Sequence, residues 1–536
     1  MNNIFRNLSD RTRWLFVISG GIAVSLSWWG APFIFLLTGF VPLLIVEDDI
    51  QSRKEPVLSL LPYSFLFFFC WNLVACWWMI RIHLLGGTSV LVLNSVFMTI
   101  VFLLYSLIKR RTGGGAFIFV ILWTGFEFLH YKGDLSWPWL SLGNGLAGNI
   151  KLIQWYEFTG TTGGSLWVLL VNVMLFSVIR LFSFNSRIYA RYLLTCMLAL
   201  LIILPPAVSI YIYNSYKERG AETGFLILQP GLDPYDEKYS TVTNYERLSN
   251  LLTLAENNID FQTSYIVSPE TSVDSVWITN PADKFSMQVY QFLGKYPGTG
   301  MILGATGFSK VSPERRTFTT RVNNEGDFFD IYNSALFYYE DAELQAYHKH
   351  YLANGVEQIP FQRIFGFMKR LSIDLGGISG SLKRGYGPGV FRSPAADSLV
   401  LGTLICFESV YGEYASGMVK KGAEILIVIS NDGWFRNTGA YRQHLRASRI
   451  RAIETRRSVV RSANTGVSAY ISQTGKIVDQ VDWWEGGALS VNVTRNDRIT
   501  FFTKYGDYPG RTALFFSLLM ILNLLVRVIP GLVENK

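Results

Sequence analysis

The sequence predicts a polytopic α-helical membrane protein, with about eight transmembrane helices, carrying one α/β domain. Three observations predict it. Half of the 536 residues are hydrophobic and only 16% are charged, with mean hydropathy +0.25. That is too apolar for an ordinary soluble enzyme. Apolar runs approaching the roughly 20 residues that cross a ~30 Å hydrocarbon core crowd residues 14–213 and recur at 512–528. Between them, strand-like and helix-like stretches alternate through residues 215–510.

The apolar runs fall at 14–29, 32–46, 57–80, 89–108, 115–130, 163–181 and 192–213, and the eighth at 512–528. Six further runs follow the first and no small-x-small cleavage site is convincing, so the first reads as a retained helix rather than a signal peptide. Thirteen Lys and Arg, among them Lys109, Arg110 and Arg111, fall in loops on one side. Only Arg81, Lys132 and Lys151 fall on the other. The rich side is expected to be cytoplasmic. The expected organisation is a seven-helix membrane domain (1–214), an extracytoplasmic domain (215–510), and a last helix with a cytoplasmic tail (511–536). The net charge of +8 belongs to this topology and to anionic lipid, not to nucleic acid, because many of the Lys and Arg flank apolar runs.

Within the polar region, strands are expected at 224–229, 263–268, 301–306, 334–338, 399–405, 424–430, 458–463 and 467–472. Helices are expected at 244–257, 283–296, 410–420 and 441–454. Near-continuous apolar strands separated by amphipathic helices argue for a sheet covered on both faces. The stretch 361–393, rich in Gly, Arg and Lys, reads as a long irregular and functional loop.

Cys70, Cys76 and Cys196 lie in apolar runs, so Cys406 is the only cysteine of the polar region. A thiol at a strand end is most often an inert core residue. Cys406, however, stands between an apolar strand and a helix start, where a thiol pKa is expected to fall. Glu270 and Lys349 also stand where strand-like runs end. Alone, the first reads as a turn carboxylate and the second as a solvated surface charge. Together a carboxylate, an amine and a thiol suit acyl transfer, as general base, oxyanion stabiliser and nucleophile. The separations, 79 residues from Glu270 to Lys349 and 57 from Lys349 to Cys406, fit three strands of one sheet. His348 and His350 have no third ligand in sight, so no metal and no cofactor are assigned.

These residues resemble the carbon-nitrogen hydrolase (nitrilase) superfamily. The membrane half narrows the resemblance to the apolipoprotein N-acyltransferases, through Pro138 to Gly143 and Gly160 to Asn172. In the polar region it rests on Ser430 to Phe435, Gln443-His444, Arg449 to Glu454 and Arg461 to Gly466. The resemblance implies an α-β-β-α sandwich and a bacterial inner-membrane location with the catalytic domain on the periplasmic face. It implies a Cys406 thioester formed from a phospholipid, Glu270 as base and Lys349 at the oxyanion. The acceptor it implies is the α-amino group of a diacylated apolipoprotein. It gives Glu357 and Glu408 supporting roles, with Phe407 where Tyr is common. The family's usual Leu-Val-Pro-Phe-Gly-Glu reads Leu352-Ala353-Asn354-Gly355-Val356-Glu357 here. Trp277, Trp434 and Phe435, with Phe365, Phe367 and Met368, are candidates to contact acyl chains, against an even alternative of core packing. Two rivals stay open: a membrane-tethered amidase with the same triad, and a non-enzymatic transport protein. Few ionisable residues in the apolar runs argue against the second, and eight helices exceed what a tether needs.

Overall fold

The structure is a computed structural model that describes residues 7–183, 188–237, 243–280, 282–358 and 382–533. The chain divides into two compact units, Met1–Ser215 with Tyr505–Lys536, and Tyr216–Lys504.

The first unit is helical. Among the described residues, five helices are long and apolar enough to cross a membrane: Val57–Cys76, Leu84–Thr112, Tyr156–Ser183, Ile188–Ser215 and Tyr508–Arg527. The remaining three runs form shorter helices. Asp10–Leu26 has 17 residues and Phe117–His130 has 14. The run expected at 32–46 is broken into Ile34–Thr38 and Val41–Ser52. Asn172 closes the break: its carbonyl oxygen accepts from the Phe40 amide at 2.9 Å and its amide donates to the Leu36 carbonyl at 3.0 Å. In a bilayer such freed backbone groups need a protein partner. Leu84–Thr112 ends on Lys109, Arg110 and Arg111, where cations complement the helix dipole.

Buried polar side chains staple this unit. Glu127 accepts from the Trp123 indole and the Leu142 amide, both at 2.9 Å. Ser165 accepts from the Gly143 amide, and the Tyr156 hydroxyl donates to the Gly143 carbonyl. The Gly143–Ser165 bond joins the 138–143 and 160–172 segments that carried the resemblance. Lower hydropathy hides further ionisable groups: Glu47 pairs with Lys109, and Asp49 with Arg13.

The second unit is built on two sheets. The first contains β1 (Glu222–Gln229), β2 (Thr263–Val267), β3 (Val273–Trp277), β4 (Gly300–Lys310), β5 (Arg321–Val322), β6 (Phe328–Tyr339) and β7 (Gln345–His348). The second contains β8 (Val390–Arg392), β9 (Val400–Ile405), β10 (Ile425–Ser430), β11 (Ser458–Ala463), β12 (Ser468–Ile471) and β13 (Ile477–Val481). The chain then returns to the first sheet as β14 (Gly487–Thr494). The orders are β14-β1-β2-β4-β6-β5, with β3 on β4 and β7 on β6, and β13-β12-β11-β10-β9-β8. The strands β9, β10 and β11 are parallel and buried throughout, as a sheet covered on both faces requires.

Side-chain alternation separates the layers. Leu226 and Leu228 of β1 join Leu248 and Leu252 of helix Asn244–Glu256, and Val289 and Phe292 of helix Lys284–Leu293, in one core. Phe225, Tyr265 and Phe337 of the first sheet instead stack in series and reach Phe391 of the second. Helices Gly412–Lys420 and Ala440–Thr455 belong to the second sheet's half. All eight expected strands and four expected helices are present, most within a few residues; the strand expected at 334–338 is longer, Phe328–Tyr339, and that expected at 301–306 runs on to Lys310. The stretch 361–393 is corrected at its end, where β8 forms. Residues 359–381, with Phe365, Phe367 and Met368, lie outside the described residues.

Candidate active site

Glu270 leaves β2, Lys349 leaves β7 and Cys406 leaves β9. The first two belong to one sheet and the third to the other. This corrects the expectation of a single sheet. Chain spacing cannot tell three strands of one sheet from strands of two sheets packed face to face.

Glu270 and Lys349 are 6% and 2% exposed, so neither is a surface charge. The Lys349 ammonium donates to Glu270 Oε1 at 2.9 Å and to Glu357 Oε1 at 3.0 Å. Burial pulls this ammonium towards neutrality, and the two carboxylates outweigh it, so its pKa stands well above the usual lysine value. The other Glu270 oxygen accepts from the Asn431 amide at 3.1 Å, a bond that crosses from the first sheet to the end of β10. Gly304 makes room for Glu270: a Cβ there would lie 2.1 Å from the Pro269 carbonyl oxygen. Glu357 sits in a tight turn whose Gly355 has φ +84°. Its second oxygen accepts from the Ala353 amide at 2.7 Å. The departure from the usual family wording therefore still delivers the carboxylate to Lys349.

Cys406 is half-buried and opens a short helical turn, Cys406–Val410, with φ +52°. A residue bearing a β-carbon rarely adopts that conformation, which costs about 1–3 kcal/mol unless its surroundings hold it. Burial pushes the thiol well above its usual pKa, Glu270 pushes it further, and Lys349 only partly opposes them. The expected lowering of the thiol pKa is thus reversed. Desolvation and the base dominate over the turn and the lysine.

Glu408 rivets the two sheets together. One oxygen accepts from the Ile405 amide (2.9 Å) and the Tyr347 hydroxyl (2.7 Å), the other from the His350 (2.7 Å) and Tyr351 (3.3 Å) amides. Burial pushes its carboxyl up to about 7 against the pull of those bonds. Glu408→Gln, whichever way its amide turns, presents an NH2 to at least one backbone N–H that can only donate. It is expected to cost about 1–3 kcal/mol, read as a lower thermal midpoint in detergent, and to slow any chemistry that needs Lys349 beside Cys406. An unchanged midpoint would remove this role.

The residues therefore bring a carboxylate, a cation and a thiol together at the facing ends of a two-sheet sandwich. The family model described as Carbon-nitrogen hydrolase matches residues 231–501. The chain belongs to the carbon-nitrogen hydrolase family. Its membrane half matches the Apolipoprotein N-acyltransferase N-terminal domain over residues 20–174, so it stands in the apolipoprotein N-acyltransferase branch of the carbon-nitrogen hydrolases. The Apolipoprotein N-acyltransferase of Chlorobaculum tepidum is 28% identical over 88% of this chain and 88% of its own length. That of Pasteurella multocida is 24% identical over 95% and 94%. Among solved structures, an amidase from Nesterenkonia sp. is similar at 15% identity and TM-score 0.36, over 55% of this chain and 97% of its own.

Other residues that the structure brings to the candidate site were hidden in the sequence. Asn333, in the middle of β6, donates to Glu270 Oε1 and Glu357 Oε1, both at 2.7 Å. The strand expected at 334–338 stopped one residue short of it, and Asp330 and Ser334 in the same strand are polar too, so nothing set it apart. Tyr347, buried beside Glu408, gave none. Of the candidate acyl contacts, Trp434 follows Asn431 closely and packs on Tyr235, and Phe435 packs on His444. Trp277 forms a half-buried aromatic trio with Phe308 and Phe329. Phe407 packs on Tyr411. His348 bonds Ser334 and stacks on Tyr332, while His350 bonds the Gly385 carbonyl. Among the described residues no His, Cys, Asp and Glu gather as metal ligands.

Proposed function

We propose that this chain moves a fatty acyl group from a phospholipid, through a thioester on Cys406, to the α-amino group of the N-terminal diacylglyceryl-cysteine of an apolipoprotein. The observation that supports it most is the pairing of Lys349 with both Glu270 and Glu357 opposite the strained Cys406 turn. The thiol rests protonated, so a base must act. Glu270 takes the thiol proton as sulfur attacks the ester carbonyl, and Lys349 faces the negative charge that develops on oxygen. The ester C–O bond breaks, and the lysophospholipid hydroxyl leaves with the proton from Glu270. The acceptor amine, in its neutral form, then attacks the thioester, Glu270 takes one amine proton, and the C–S bond breaks. The proton returns to sulfur, leaving an amide and free thiol.

The reading includes the inner membrane as location, with residues 215–510 facing away from the cytoplasm, on the strength of the Lys/Arg asymmetry. Both substrates carry acyl chains, and diffusion within the bilayer would deliver them.

Full-length protein incubated with phospholipid alone is expected to gain the mass of one acyl group at Cys406. Neutral hydroxylamine should remove it, and a diacylated lipopeptide should remove it while becoming triacylated. An adduct on any other residue, or ammonia release from a small amide without a lipid adduct, would sink the reading.

A further inference from the structure

The motif segments at 430–435, 443–444 and 461–466 leave a buried polar chain that the three-residue mechanism does not use. Its end lies directly behind the nucleophile. His444, the fifth residue of helix Ala440–Thr455, is fully buried. Its Nδ1 lies 2.8 Å from Asp432 Oδ1 and 3.2 Å from the Arg461 guanidinium; the carboxylate is nearer and only accepts, so Nδ1–H donates to it and Arg461 is spent on Asp432 Oδ2. Its Nε2 lies 3.1 Å from the Cys406 carbonyl oxygen and 3.0 Å from Ser409 Oγ; that carbonyl also only accepts, so the hold on it requires Nε2–H as well as Nδ1–H, the imidazolium facing the Asp432 carboxylate. Ser409 Oγ itself donates to that same carbonyl at 2.9 Å. Behind the ring, Asp432 Oδ2 accepts from Arg461 at 2.6 Å, and Ser430 Oγ donates to Oδ1. Arg461, also fully buried, is held in turn by Ser448 at 3.1 Å.

We propose that His444 is a positioning residue for acyl transfer: anchored by Asp432 and Arg461, it holds the Cys406 carbonyl and with it the left-handed turn that presents the thiol. The proposal rests on the reading of Cys406 as the nucleophile. The argument for it is geometric. A positive φ at a residue with a β-carbon persists only where neighbours over-determine it. Here the carbonyl of that residue is gripped from two sides. A trans peptide sets C=O and N–H in opposite directions. Fixing the Cys406 carbonyl towards the histidine therefore turns the Phe407 N–H away from it. A buried ion pair is also a poor device for stability alone, because desolvation offsets its attraction. Burial pushes the Asp432 carboxyl up, yet Arg461 and His444 override this and hold it well below the usual carboxylate range. The anchor is thus an anion throughout the working pH range.

The test uses full-length protein in detergent, with phosphatidylethanolamine as acyl donor and no acceptor. Acylation of Cys406 is followed by mass, alkylation by iodoacetamide in parallel, and folding by thermal midpoint. His444→Asn keeps a donor where Nδ1 was and loses the contact with Cys406. His444→Gln places its amide where Nε2 was. His444→Asn is expected to slow acylation by about 100-fold, the scale of a lost oxyanion contact. His444→Gln should recover at least about tenfold of that, since one hydrogen bond is worth roughly this factor. Alkylation needs no oxyanion site and should change much less than acylation in both. Acylation by folded His444→Asn at the wild-type rate, or by His444→Gln no faster than by His444→Asn, overturns the proposal. Should His444→Asn fail to fold, Ser409→Ala carries the test. It should slow acylation several-fold, and its effect should be non-additive with His444→Gln because both act on one carbonyl. An unchanged rate in Ser409→Ala would then overturn it. Failure of the wild type to acquire the adduct at Cys406 would instead refute the underlying nucleophile assignment.

Discussion

Glu270→Gln is expected to slow formation of the acyl-enzyme by about 10²–10⁴-fold at neutral pH, the range of a lost general base. The substitution keeps the size of the side chain and still lets its carbonyl accept from Asn333 or Lys349. What it removes is the place for the thiol proton. In the native site burial, and then Glu270 itself, hold that thiol well above its usual pKa, so almost no thiolate forms unaided. The variant must therefore depend on spontaneous ionisation. Its rate should climb about tenfold per pH unit above neutrality, as the thiolate fraction does, while the wild type varies less over the same interval. Acylation rates measured across pH 7 to 9 decide this. A variant within tenfold of wild type at pH 7, or one with no pH slope, would show that another group takes the proton.

Lys349→Met is expected to be as damaging, for a different reason and with a second readout. Loss of a cation at the developing oxyanion costs about 10²–10³-fold in rate. The same substitution leaves Glu270 and Glu357, both bound to the lysine at 2.9–3.0 Å, facing one another without a counter-charge. Breaking a buried pair in this way typically costs about 3–5 kcal/mol, so the thermal midpoint should fall along with the rate. Adding Glu357→Gln to Lys349→Met should recover much of the midpoint and none of the rate. Recovery of both would mean that Lys349 serves only to neutralise the carboxylates.

The sequence exposed those elements whose side chains follow one simple rule. Runs such as Val400–Ile405 and Ile425–Ser430 are buried at every position, and a nearly unbroken apolar run makes such strands visible. Ile477–Val481 is largely exposed and Gly487–Thr494 mixes burial with exposure, so neither announces itself, although Gly487–Thr494 pairs along the whole of β1. Short β3 and β5 fail for the same reason. In the membrane unit the 32–46 run looked continuous because Gly39 and Phe40 are as apolar as their neighbours. The break rests on Asn172, more than a hundred residues away. At the site, strand-end position revealed Glu270, Lys349 and Cys406. Asn333 escaped because its role depends on lying across from Glu270 in space. The thiol's ionisation was misjudged because sequence shows the neighbouring lysine and helix but not the depth of burial.

The division of the site between two sheets has a mechanical consequence. Base and cation ride on one slab and sulfur on the other, so the sandwich works as a caliper whose jaw opening is the gap that sulfur and base must close. The Phe337–Phe391 stack between the slabs is one of its spacers. A bulkier or smaller side chain there, remote from all three reacting groups, would reset the gap without touching them. Activity would then register slippage of the layers well before any loss of secondary structure, and heat should silence the chemistry before it melts the fold.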